Sequence, residues 1–76
     1  MDEQILNRVR EIATDVLDAK VNADSSPSTV ESWDSVRHLN LILALEEEYG
    51  FQFLPEEMDA AKSIGTIARL VTAKRS

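Results

Sequence analysis

The 76 residues allow one domain at most, and a chain this short buries only roughly 60% of its unfolded surface, so its core is thin. With no cysteine and a single histidine, the sequence argues against a disulfide framework, a thiolate metal site or a histidine zinc site, so stability must come from packing alone. Fourteen acidic against eight basic residues give a formal charge of −6, which disfavours nucleic acid and anionic lipid as partners and favours basic patches on other proteins.

The first segment sets Ile5, Val9, Ile12, Ala13, Val16 and Leu17 at helical spacing among polar residues, which predicts an amphipathic helix from about Asp2 to Ala19. Asp2 and Glu3 suit its start, where the helix dipole favours negative charge. From Asn22 to Ser32 the small polar residues and Pro27 read as a long loop. An interdomain linker is rejected because too little chain lies on either side to form two cores.

The second helix is expected to begin at Asp34 or Ser35, both suited to an N-cap, and to run to about Tyr49, where Gly50 ends it. At about 100° per residue, Val36, Leu39, Ile42, Leu43, Leu45 and Tyr49 sweep a broad apolar sector with Leu41 at its edge. Arg37, Asn40, Ala44, Glu47 and Glu48 fall opposite. So apolar a helix is expected to be packed on more than one side, as the central element. Pro55 then opens a short third helix, Glu56 to Ala61, and Ser63 caps a last helix reaching about Lys74 with Ile64, Ile67, Ala68 and Val71 on one stripe. Gly65 within it costs up to about 1 kcal/mol against alanine. There is no strand pattern and no repeat. The fold class is therefore all-α: a four-helix bundle of three longer helices and a short third, with a long first loop, forming a single domain over residues 1–76. No apolar run approaches the roughly 20 residues that span a bilayer, and the chain opens on acids rather than a basic signal region. A cytoplasmic monomer is expected.

Catalytic patterns are missing from the sequence: no glycine-rich phosphate loop, no metal cluster, no cysteine nucleophile. Asp34, Ser35 and His38 lie close together and invite a catalytic reading, but Ser35 and His38 are one helical turn apart and nothing in the sequence marks a pocket to hold a substrate between them, so His38 is read as a partly exposed helix residue. Ser35 stands out differently. A helix N-terminus offers unpaired N–H groups and partial positive charge, so it suits a phosphate attached there. Ser25, Ser26, Ser28 and Ser32 begin no apolar helix and lack that advantage. Taken locally, Asp34-Ser35 also reads as an ordinary cap.

The wider run from Asp34 to Phe53, D-S-V-R-H-L-N-L-I-L-A-L-E-E-E-Y-G-F-Q-F, resembles the acyl carrier protein family, with Ala44 to Tyr49 in place of its A-L-E-E-E-F-like segment. The resemblance continues through Pro55-Glu56-Glu57 and Ser63-Ile64 and is weak over the first helix. It implies that a phosphopantetheinyl transferase, using coenzyme A and its own magnesium ion, attaches 4'-phosphopantetheine to Ser35. The arm's thiol then carries an acyl intermediate as a thioester for partner enzymes of fatty-acid, polyketide or related biosynthesis. By this resemblance the chain is not an enzyme. Partner recognition, by acyl-loading and acyl-processing enzymes with basic docking surfaces, falls to Asp34, Val36, Arg37, Asn40, Glu46 and Glu47. An acyl chain is expected to enter among Leu39, Ile42, Leu43, Ile64 and Ile67.

Three departures from the family pattern bear on partners. Val36 stands where leucine is usual, and Arg37 and Asn40 stand where members of fatty-acid synthesis often carry acids. Arg37 either tunes partner choice or pairs with a nearby acid. Trp33 either packs under the loop, the preferred reading, or belongs to the partner surface. The run from Ser32 to Leu39 resembles stand-alone carriers of secondary-metabolite clusters more than housekeeping ones. An aminoacyl carrier of a nonribosomal pathway and an unmodified interaction module using Glu46-Glu47-Glu48 remain as alternatives.

Overall fold

A computed structural model describes residues 3–75. The elements follow the expected order: α1 Glu3–Leu17, α2 Ser35–Tyr49, α3 Pro55–Ala60 and α4 Ile64–Arg75, with no strand among the described residues. Asp2, placed in the first helix by sequence, lies outside the described residues.

Helix α1 buries Ile5, Val9, Ile12, Ala13 and Leu17 of the stripe its spacing predicts, with Val16 only half-buried beside them. It ends two residues earlier than expected, because Asp18 turns into the left-handed region at φ 52°. Its last carbonyls are satisfied from elsewhere in the chain. The Ser32 hydroxyl donates to Leu17 O at 2.6 Å and the Arg37 guanidinium donates to Val16 O at 3.2 Å.

The first loop is ordered by its own polar residues. Asn22 Oδ1 accepts from the N–H of Asp24, Ser25 Oγ accepts from that of Asn22, and Val30, Trp33 and Val21 turn into the core. The loop then docks on the start of α4, where Ile64 N–H donates to Ser25 O and Gly65 N–H to Ala23 O. A Cβ at Gly65 would stand 3.1 Å from that Ala23 oxygen, so glycine inside α4 permits a close approach of two backbones.

Two expectations for α2 need correction. Its buried residues are Leu41, Ile42 and Leu45, whereas Val36, Leu39 and Leu43 are exposed by 68%, 48% and 52%. Leu41 is thus central to the core rather than at its edge. Nor is α2 the hub: α1 packs on both α2 and α4. The cause is an excess of apolar residues on α2, more than one buried face can hold, so the periodicity alone did not fix which side turns inward.

Helix α3 buries no residue. Half-buried Met58 packs against the core, and polar contacts add to its hold: Glu57 accepts from Leu54 N–H at 2.7 Å and pairs with Lys74 of α4 at 2.8 Å. The α2–α3 connection is sealed by Phe53, which is buried and meets Phe51 edge-on, while Lys74 lies over the Phe51 ring.

Candidate functional site

Three helices meet where α2 begins. Asp34 is the N-cap, in extended conformation, and its carboxylate accepts from Arg37 N–H at 2.8 Å. Ser35 is therefore the first residue of the helix proper. It is exposed, and its hydroxyl has no hydrogen-bond partner among the described residues. The N–H groups of Ser35 and Val36 are likewise left over at the helix tip, as the first donors of a helix are.

The tip is tied down on three sides. Ser32 and Arg37 bond to the end of α1. Trp33, only 3% exposed, stacks on His38 with centroids 5.9 Å apart and donates its indole N–H to His38 Nδ1 at 2.9 Å. The other ring nitrogen of His38 faces Met58 O of α3 at 3.4 Å. Beside Ser35 a groove of about 470 Å³ runs between α2 and α3, lined by Trp33, His38, Met58, Asp59 and Lys62 among others. No group of three or more metal-ligating side chains exists among the described residues.

No family model matches the sequence, and no curated protein matches it. A solved structure does. The solution structure of a holo acyl carrier protein from Geobacter metallireducens superposes with a TM-score of 0.82 at 32% identity, covering 92% of this chain and 84% of that one. This chain belongs to the acyl carrier protein family.

The remaining candidate residues of this carrier-family chain fall into two sets. Glu46 is half-buried and its carboxylate accepts from Phe53 N–H at 2.7 Å, while Glu48 holds Arg8 of α1 in a two-point contact at 3.0 and 3.1 Å. Those bonds hold Glu48 below, and Arg8 above, the usual range of each group. Of the three consecutive acids, Glu47 is exposed without such a contact. Arg37 bonds the carbonyl of Val16 rather than an acid, and Asn40 is exposed.

The five residues expected to admit an acyl chain differ in burial. Ile42, Ile64 and Ile67 are buried, while Leu39 and Leu43 face outward. His38 carries a role that sequence reasoning missed. The signal was present: a buried indole N–H needs an acceptor, and His38 is the acceptor-bearing side chain one turn into the helix that Trp33 precedes. No described helix is long and apolar enough to cross a membrane.

Proposed function

We propose that this protein carries acyl-type groups as thioesters on a 4'-phosphopantetheine arm bound to Ser35, and that it is a carrier serving other enzymes rather than a catalyst. The observation that carries the reading is the exposed, unbonded hydroxyl at the first position of α2, in a chain of this family.

The residues around Ser35 fit such a group. The leftover N–H groups of Ser35 and Val36 and the positive end of the α2 dipole favour a phosphodiester there. Asp34 keeps its carboxylate on Arg37 N–H, so it caps the helix without bonding the serine hydroxyl. Once bound, the arm supplies a thiol for thioester chemistry. The chain's own residues hold the attachment oxygen outward and raise the effective concentration of the tethered group at each partner in turn.

Val36, Leu39 and Leu43, exposed at helical spacing next to Ser35, are where we place the partner enzymes, with Asp34, Asn40 and Glu47 around them. The transferase and the acyl-loading and acyl-processing enzymes are those partners, and we place the protein in the cytoplasm. The cargo, whether fatty acyl, polyketide or aminoacyl, is selected by those enzymes.

The test is incubation with coenzyme A, magnesium and a broad-specificity phosphopantetheinyl transferase, followed by mass spectrometry. The expected result is a gain of one phosphopantetheine, abolished in Ser35→Ala. No gain with several transferases would overturn the reading in favour of an unmodified interaction module.

A further inference from the structure

We propose that His38 is a positioning residue for the modification of Ser35, acting through the indole of Trp33; the inference rests on the carrier reading of Ser35. Trp33 immediately precedes the N-cap Asp34, and His38 lies one turn into α2. The bond between their side chains therefore brackets the helix tip that presents the serine. An indole N–H can only donate, and here it is buried, so its acceptor matters. The acceptor is His38 Nδ1. Removing that acceptor leaves the indole to lose its bond or to rotate, and either change moves the backbone at Asp34 and with it the direction of the Ser35 hydroxyl.

The same geometry makes the contact responsive to protons. Nδ1 accepts only when it is unprotonated, which leaves the ring proton of the neutral form on Nε2, toward Met58 O. Protonating Nδ1 sets one N–H against another and breaks the bracket. The charged groups sharing this groove are Asp34 of α2, Asp59 of α3 and Lys62 just beyond it. Ser35 is thus presented best when His38 is neutral.

Two amides separate the contacts of the ring. In His38→Asn the side-chain oxygen falls near Nδ1 and keeps an acceptor for Trp33. In His38→Gln the amide reaches toward Met58 O instead. The experiment measures kcat/KM for phosphopantetheine transfer to apo wild type, His38→Asn, His38→Gln and His38→Ala across about pH 5 to 8, the span in which histidine changes charge. Emission of Trp33, the sole tryptophan, is recorded alongside.

His38→Ala and His38→Gln are expected to lose about ten-fold and His38→Asn no more than about two-fold. Because the pH dependence of the transferase cancels in the ratio, wild type should fall relative to His38→Asn toward acid pH. The Trp33 emission should follow the same course in wild type alone. Equal rates for wild type and a folded His38→Ala would overturn the proposal, as would His38→Asn as slow as His38→Gln, or a flat ratio. If His38→Ala does not fold, the two amides decide. No modification of wild type at all would sink the carrier reading itself, a different outcome from any of these.

Discussion

The carboxylate of Glu46 accepts a hydrogen bond from the backbone N–H of Phe53 at 2.7 Å, closing the turn that leaves α2. An acid that opens a three-acid run invites assignment to the partner surface, but this one is half-buried and occupied. Glu46→Ala is expected to destabilise the fold by about 1–3 kcal/mol, because Phe53 N–H is left without its partner. Glu47→Ala, an exposed change, should stay within about 0.5 kcal/mol. Urea unfolding of the two variants checks the contrast. Equal stability would show that the Phe53 contact contributes nothing.

The contrast also shows what the sequence could and could not disclose. Helix order, the α1 stripe and the position of Ser35 followed from spacing, a cap and a terminal glycine, all local signals. The orientation of α2 did not, because Val36, Leu39 and Leu43 are as apolar as Leu41, Ile42 and Leu45, and only the packing of α1 decides between the two sets. The bonds from Arg37 to Val16 and from Glu46 to Phe53 were equally hidden, since side chain to backbone contacts leave no complementary residue type to read.

Gly65 gives a prediction in which two effects oppose. Alanine would improve helix propensity by about 1 kcal/mol. Its Cβ would also meet Ala23 O at 3.1 Å, and that oxygen is already held by the Gly65 N–H at 2.9 Å, so it cannot retreat without breaking the bond that docks the first loop. Gly65→Ala is therefore expected to lower the thermal midpoint, not raise it. Amide exchange should quicken at Ile64 and position 65. A higher midpoint would show that the loop yields easily.

Acid should weaken the fold through two carboxylates. Glu48 is held below its ordinary value of 4.5 by hydrogen bonds from Arg8. Glu57 is held below it first by the Leu54 N–H and then by Lys74. A carboxylate with a lowered folded-state pKa stabilises the fold fully above its unfolded value and loses that contribution as pH falls through the folded value. The thermal midpoint is thus expected to hold steady down to about pH 5 and to decline below about pH 4.5. Glu48→Gln together with Glu57→Gln should start lower and decline less steeply. Parallel curves for wild type and the double variant would count against these groups as the source.

The last prediction concerns what partners grip. With Glu46 bonded to Phe53 and Glu48 to Arg8, the α2 face beside Ser35 offers Val36, Leu39 and Leu43, flanked by the exposed acids Asp34 and Glu47, of which Asp34 is engaged in capping the helix. Few free charges on a face mean weak steering, so encounter should depend little on ionic strength. The half-exposed leucines can instead enter an apolar recess and lose their remaining contact with water. Leu39→Ser combined with Leu43→Ser should raise KM in the transferase assay by about ten-fold while kcat changes little, the signature of lost binding common to ground and transition states. Glu47→Gln should change KM less than about three-fold, and added salt should do no more. Should salt and Glu47→Gln dominate while the serine pair behaves as wild type, a basic docking surface on the partner would be the correct account and the apolar stripe an incidental exposure.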